Sequence, residues 1–373
     1  MRATAGPNHV IARPEQNRGA DQPKYRDLAL ERLAYGGRGI GVSVSVLHET
    51  PFYTLRQFRR EDGAALPDLL VVPPLSGHFP ILLRDMVLDL LPDFRVALMD
   101  WANVRHVPAS CGAFGFDDNV DAIVTALTLL GPDLSVVALC QAGVPALAAI
   151  ADLAARERDS GPGALVLIAS PVDPLARATP VVDLIRSFPA FWYETVPIDR
   201  VAADHAGQGR RVYRAESQLA GLTQYLRRHA EIAGDELAEK MTDDDGAEPE
   251  RFPFADLYTS IMDLDARHFA ENIARVFLQR DMARGRLHVG GRRVDPGYIR
   301  RSSLLTVEGA LDDIAAPGQT RAAHRLCTGI RQERRQALVV PGCGHFGLFH
   351  GRPWRDSVLP VLREHCLRNA LSG

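Results

Sequence analysis

Three features are scarce in this 373-residue chain: paired cysteines, long apolar runs and net charge. The cysteines form no C-x-x-C pair, so we predict neither a disulfide framework nor a zinc knuckle. No H-E-x-x-H motif occurs and the histidines are scattered, so no metal site is expected. A net charge of −3 provides no basic field for a phosphate backbone, so nucleic acid is not an expected partner.

Long apolar segments are also missing. No stretch approaches the roughly 18 apolar residues of a membrane-spanning helix. The first residues carry no apolar core of a secretory signal, and residues 1–25, rich in Pro, Gly, Asn and Gln, are predicted to form a disordered tail. We therefore expect the protein to remain in the cytoplasm.

From about Gly39 onward, short apolar runs alternate with helix-like runs. The runs "IGVSVSVLHE" and "FYTLRQF" alternate in period two, which predicts an antiparallel pair with Pro51 in its turn. Compact Val/Leu/Ile runs follow and are typical of buried parallel strands: "LPDLLVVPP", "FRVALMDW", "LSVVALC", "GALVLIAS" and, later, "SSLLTVEG" and "QALVVPG". The "GGRGIG" at 36–41 precedes a strand, so it indicates a turn and not a dinucleotide site.

Three helix-like runs separate the first four of these strands, and one closes the chain: "FPILLRDMVLDLLP", "FDDNVDAIVTALTLLG", "VPALAAIADLAARE" and "WRDSVLPVLREHCLRNAL". This alternation predicts an α/β protein with a mostly parallel, doubly wound sheet. The pattern is interrupted between the fourth and fifth of these strands. We therefore predict a core over 26–171 and 301–373, and a mainly helical cap inserted at 172–300.

Cys140 lies where a buried strand is predicted to end and a helix to begin. Ala138 and Ala142 flank it in the A-x-C-x-A form of a nucleophile elbow, a turn so tight that only small side chains fit beside it. The elbow would expose the thiol at the positive end of a helix dipole, which favours a thiolate. Read alone, the same stretch also fits an inert core cysteine.

An acidic loop follows the predicted strand "LLTVEG". In α/β sheets with this elbow, a loop at this place supplies the carboxylate that orients the catalytic histidine. Asp312 fits the spacing Gly-x-x-Asp-x-Ile, and Asp313 is the alternative. Two solvated turn aspartates would fit the local sequence equally well.

His345 follows the last predicted strand in "VVPGCGHFGLFHG". The order nucleophile, acid, histidine, with each residue after its own strand, predicts that the three meet at one edge of the sheet. A second loop, "VVPPLSGHF", is expected to complete an oxyanion hole, with one backbone N–H from Gln141 and another from Leu75 or Ser76. His78 is expected to shape this loop and not to act as a second base.

The chain from about Gly39 onward resembles the intracellular poly(3-hydroxybutyrate) depolymerases, α/β-hydrolases with a cysteine nucleophile. The resemblance rests on "PPLSGHFPILLRDMV", "MDWANVRHVPASCGAFGFDDNV", "ALCQAGVPALAA", "RRVDPGYIRRSSLLTVEGALDDIAAPGQT" and "PGCGHFGLFHGRPW". By position it implies Cys140 as nucleophile, Asp312 as acid and His345 as base. Two departures are Ala142-Gly143, where the family commonly has proline after Cys-Gln, and Phe346, where it has tyrosine.

The resemblance implies cleavage of a cytoplasmic polyester at a granule surface. No cofactor is expected, and coenzyme A is an alternative to water as acyl acceptor, because one thioester would be exchanged for another. The alternatives are a polyhydroxyalkanoate synthase, a small-ester or lactone hydrolase, and a silent granule-surface protein. An aromatic cluster in the insertion could line a substrate channel, although such clusters more often form a domain's own core: Phe188, Phe191, Trp192 and Tyr193. The sequence does not indicate the oligomeric state.

Overall fold

The computed structural model describes residue 28 and residues 30–157, 160–220 and 260–370. The predicted tail at 1–25 and part of the predicted cap, 221–259, lie outside the described residues.

The strands account for most of the predicted apolar runs. They are β1 (Arg32–Tyr35), β2 (Arg38–Glu49), β3 (Tyr53–Arg60), β4 (Asp68–Val72), β5 (Arg95–Trp101), β6 (Leu134–Leu139), β7 (Ala164–Ile168), β8 (Ile198–Arg200), β9 (Arg211–Tyr213), β10 (Leu264–Asp265), β11 (His288–Val289), β12 (Arg292–Arg293), β13 (Ser303–Gly309) and β14 (Arg335–Val340).

Nine of these strands form one sheet in the order β1-β2-β3-β5-β4-β6-β7-β13-β14. The six strands from β5 to β14 in that order run parallel, with Thr306 of β13 opposite Leu167 of β7 and Ala337 of β14. β1 to β3 run antiparallel. The predicted turn around Pro51 joins β2 to β3, and the predicted glycine turn joins β1 to β2. β1 was not predicted, because four residues at a sheet edge are too few to show a period.

The α-helices are α1 (Arg84–Leu90), α2 (Phe116–Leu130), α3 (Gly143–Arg156), α4 (Pro180–Arg186), α5 (Ala190–Thr195), α6 (Ala266–Asn272), α7 (Ala323–Leu326), α8 (Gly351–Pro353) and α9 (Leu359–Ala370). A π-helical segment extends α6 (Ile273–Leu278), and another precedes α9 (Trp354–Val358). The predicted helices after β4, β5 and β6 and at the end of the chain are therefore present.

The central strands bury both of their faces. Along β6, Val136 and Ala138 pack into one hydrophobic cluster, which includes residues of α2 and α3. Val137 and Leu139 alternate into a second cluster, which includes residues of α1 and α9. Helices therefore cover both faces, and the predicted doubly wound α/β architecture is confirmed.

The described residues of the insertion hold helices α4, α5 and α6 together with short strands that we did not predict. β8, β9 and β10 form an antiparallel sheet, and β11 pairs with β12. These strands are two or three residues long, so they leave no alternating pattern in the sequence. The division of the chain at 172 and 300 stays a prediction.

Among the described residues, no helix is both long and apolar enough to cross a membrane. In the same part of the chain, no group of three or more His, Cys, Asp or Glu residues is placed to hold a metal ion.

Candidate active site

Cys140 occupies the elbow between β6 and α3. Its φ angle is +50°, a left-handed conformation that a non-glycine residue adopts only where surrounding structure enforces it. A short 3₁₀ turn (Cys140–Ala142) leads directly into α3. Ala138 and Ala142 are both buried, as the predicted elbow requires, and the Cys140 side chain remains partly exposed.

The tightest approach at the elbow lies one residue beyond Ala142. A Cβ atom added to Gly143 would lie 2.2 Å from Ser170 Oγ, at the end of β7. No side chain larger than hydrogen therefore fits there without moving the neighbouring strand end. The close approach of Ser170 therefore accounts for glycine at the first position of α3.

Asp312 lies in the loop after β13, and that loop holds its carboxylate in place. Oδ1 accepts hydrogen bonds from the backbone N–H groups of Ile314, at 2.9 Å, and Ala315, at 2.8 Å. Oδ2 lies 2.8 Å from Nδ1 of His345. Asp312, and not its neighbour Asp313, therefore carries the carboxylate that meets the imidazole.

His345 lies in the loop after β14, which is bound to the Asp312 loop. Leu311 N donates to Cys343 O at 3.0 Å. A Cβ atom on Gly309 would come within 2.5 Å of the same oxygen, so a glycine is needed where the two loops cross. Because Nδ1 faces Asp312, Nε2 is the ring nitrogen left to interact with Cys140, which contributes to the electrostatics of His345.

The electrostatics favour a charged imidazole. Burial by itself lowers the pKa of His345. The negative charge of Asp312 and that of the Cys140 thiolate oppose this effect, as do the hydrogen bonds to both residues, and together they raise the pKa well above its usual 6.5. The group therefore stabilises the fold at pH values below its usual pKa, and this contribution is lost as the pH rises through the raised pKa.

The pKa of His345 is expected to fall in an Asp312→Asn variant, because the largest raising charge is lost while burial remains. NMR titration of ¹⁵N-labelled histidine would measure the change. His365 serves as an internal control, since burial lowers its pKa to about 4 in a different part of the fold. An unchanged His345 titration in the variant would contradict the electrostatic account.

The loop predicted to supply the second oxyanion donor is held by the insertion. Met262 N donates to Gly77 O at 2.6 Å, and Phe79 N donates to Ser260 O at 3.0 Å. His78 pairs with Ile261 in an isolated antiparallel bridge, which agrees with its predicted role in shaping the loop. The loop conformation therefore depends on contacts with the insertion as well as on β4.

Leu75, Ser76 and Gln141 line one cavity of about 300 Å³. The three predicted oxyanion residues thus lie around a common space, and one of them, Gln141, directly follows Cys140 in the chain. Much of the remaining wall comes from apolar and aromatic side chains of the insertion and its α6 helix, among them Leu184, Ile185, Phe188, Trp192, Phe269 and Ile273.

The aromatic cluster of the insertion therefore does more than form an internal core. Phe188 and Trp192 stack with ring centroids 4.4 Å apart, and both line the cavity with Tyr193. Phe191 is instead 65% exposed. Tyr193 belongs to the hydrophobic core, and Phe188 and Trp192 pack against it, so these rings form part of a core as expected and also line the cavity.

Sequence analysis missed two residues of α6 that lie at this site. Asn272 Nδ2 donates to Gln141 Oε1 at 2.9 Å, and the buried His268 contacts the backbone of Leu75 and Gly115. Burial lowers the pKa of His268 to about 4, so its imidazole is neutral at pH 7. The two lie four residues apart on one helical face, a spacing that was visible in the sequence, although their partners were not.

The order of strands in the sheet and the helices on both of its faces are those of the α/β-hydrolase fold. A family model described as the C-terminus of PHB de-polymerase matches residues 169–370, which is more than half of the chain. The chain belongs to this family. No curated protein matches it.

Solved structures with similar folds have low sequence identity to this chain. The Cif epoxide hydrolase from Acinetobacter nosocomialis is 11% identical with a TM-score of 0.50, covering 87% of this chain and 88% of its own. The enol-lactonase from Burkholderia xenovorans LB400 is 13% identical with a TM-score of 0.48, covering 90% and 98%. The thermophilic esterase from Thermogutta terrifontis is 16% identical with a TM-score of 0.43, covering 91% and 97%. Sequence identities this low indicate similarity of fold only.

Proposed function

We propose that this protein hydrolyses ester bonds of poly(3-hydroxybutyrate) through a Cys140-His345-Asp312 triad and an acyl-thioester intermediate. The observation that carries the proposal is the 2.8 Å contact between Asp312 and His345, an imidazole that also interacts electrostatically with Cys140 at its strained elbow, together with the largely apolar cavity lined by the next residue, Gln141. Membership of the PHB de-polymerase family supports the choice of substrate.

In the first half of the reaction, the proton of Cys140 passes to His345, which gives the thiolate–imidazolium pair that the electrostatics favour, and the thiolate attacks an ester carbonyl. Asp312 holds the imidazole by Nδ1 and stabilises its positive charge. The carbonyl oxygen becomes negative and is bound by the N–H of Gln141 and that of Leu75 or Ser76, each contributing about 3 kcal/mol. The intermediate then collapses, and the alcohol leaves with the proton held by His345.

In the second half, water attacks the thioester and transfers a proton to His345. The second intermediate expels the Cys140 thiolate, which recovers the proton, and a 3-hydroxy acid leaves. Another thiol can replace water, because one thioester is then exchanged for another. Coenzyme A is therefore an admissible acyl acceptor in this proposal.

The surface around the insertion suits a solid polyester. Leu184 lines the cavity and is 63% exposed, and Phe191 and Val196 on or beside α5 are 65% and 63% exposed. Apolar side chains in water at a substrate entrance favour adsorption to an apolar surface. These exposed side chains support our proposal that the protein acts at the surface of polyhydroxyalkanoate granules in the cytoplasm.

The purified protein is expected to release 3-hydroxybutyrate or its oligomers from amorphous granules, measured by chromatography of the soluble products. A parallel incubation with 3-hydroxybutyryl-CoA tests the reverse direction. Polymer formation without degradation would replace the proposal with a synthase. Cleavage of small esters but not of granules would leave a small-ester hydrolase, and activity on none of these substrates would leave a silent surface protein.

A further inference from the structure

Two amide side chains lie together in the wall of the cavity beside the nucleophile. Gln141 directly follows Cys140, and Asn272 ends helix α6. Asn272 Nδ2 donates to Gln141 Oε1 at 2.9 Å, which joins the core to the insertion across 131 positions of sequence. Asn272 is 4% exposed, so it meets the cavity from a largely buried position.

The pair has more hydrogen-bonding capacity than this one bond uses. Each amide carries two N–H donors and an oxygen with two lone pairs. Among the described residues, each of the two side chains makes one hydrogen bond, and that bond joins them to each other. Exchanging the O and N assignments of both amides would reverse the bond but leave the same surplus of donors and acceptors.

The bound ligand decides whether that surplus is satisfied. A simple fatty acyl chain displaces water from an amide and supplies nothing in return, and an unsatisfied polar group is unfavourable by about 1–3 kcal/mol. An acyl group with oxygen at C3 supplies a partner two carbon–carbon bonds from the carbonyl that Cys140 would attack. A site built to hydrogen-bond such an oxygen discriminates against the analogue that lacks it.

We propose that the amide pair of Gln141 and Asn272 is a subsite that recognises the oxygen substituent at C3 of the acyl group. The proposal rests on the proposed function, because it takes Cys140 as the attacking group. The ligand class is a 3-hydroxyacyl or 3-acyloxyacyl ester, and the cavity selects it from simple acyl esters of the same length. Gln141 contributes its side chain to this subsite and its backbone N–H to the oxyanion hole.

The test compares kcat/KM for the p-nitrophenyl esters of 3-hydroxybutyrate and butyrate, which differ only in the C3 hydroxyl. The wild-type protein is expected to prefer the 3-hydroxy ester by about tenfold or more. In Asn272→Leu and in Gln141→Met, which retain similar volume without an amide, the ratio is expected to fall toward one. Ile273→Val is the matched control, since Ile273 lines the same cavity with an apolar side chain. Its ratio should stay at the wild-type value.

An equal kcat/KM for both esters in the wild type, or a preference that survives Asn272→Leu, would overturn the subsite.

A second measurement separates this outcome from failure of the proposed function. Binding of methyl 3-hydroxybutyrate and methyl butyrate to Cys140→Ala protein is compared by ligand-observed NMR, with and without Asn272→Leu. Suppose that neither p-nitrophenyl ester is cleaved, but methyl 3-hydroxybutyrate binds more tightly than methyl butyrate and Asn272→Leu removes this preference. The subsite then stands, and the proposed hydrolysis fails. If binding also shows no preference, the subsite falls as well.

Discussion

Cys140→Ala is expected to reduce ester hydrolysis by on the order of 10⁴-fold or more, because the variant has no atom at the elbow that can form the acyl intermediate. Binding of substrate is expected to persist, since alanine leaves the cavity wall and the His345–Asp312 pair in place. The measurement is kcat for a soluble 3-hydroxybutyrate ester, together with mass spectrometry of the protein during turnover. Wild-type protein should carry a 3-hydroxyacyl adduct at Cys140, and the variant none.

Cys111→Ala is the matched control for the loss of a thiol. Cys111 is an exposed free cysteine at the end of a turn (Ala109–Cys111) between β5 and α2, and it belongs to none of the three loops that carry the triad. Its removal should leave hydrolysis unchanged. Burial raises the pKa values of Cys327 and Cys366 to about 12, so both should resist alkylation at pH 7. Wild-type activity in Cys140→Ala would refute the assigned nucleophile.

Asp312→Asn is expected to lower kcat by about 10³- to 10⁴-fold while the protein stays folded. The amide oxygen can still accept the bonds from Ile314 and Ala315, so the loop keeps its shape. The amide NH₂ then faces His345 Nδ1 and favours the tautomer with the proton on Nε2, which cannot take a proton from Cys140. Steady-state kinetics with a thermal denaturation curve would separate this effect from unfolding.

Asp313→Asn is the control, one residue away in the same loop and half-buried. It should retain most of the activity, because the carboxylate that contacts His345 belongs to Asp312. A larger loss of activity in Asp313→Asn than in Asp312→Asn would show that Asp313, and not Asp312, is the acid of the triad.

The central strands and the common edge at which they end could be predicted from the sequence, because parallel strands all end at the same edge of their sheet. The apolar runs of β4 to β7, β13 and β14 are continuous, and each is followed by a loop at the same edge of the sheet. A cysteine after β6, an acid after β13 and a histidine after β14 could therefore be expected to meet. The short strands β8 to β12 could not be predicted, because two or three residues carry no measurable period.

The details of the site depend on contacts between segments far apart in the chain. The spacing already favoured Asp312, but only the loop conformation shows its carboxylate in contact with His345. The need for glycine at position 143 comes from Ser170, just beyond the end of β7. Neither contact can be read from the sequence, because each joins two segments whose local residue patterns do not refer to one another.

The sequence by itself determined the order and identity of the groups expected to carry the chemistry, since these follow from strand ends and from the residue types that can act as nucleophile, acid and base. Only the tertiary structure decided what surrounds them: the cavity wall from the insertion, and the Asn272 amide on Gln141. The physical reason is that side-chain packing between distant segments is set by the whole fold, whereas strand and helix periods are set by neighbouring residues.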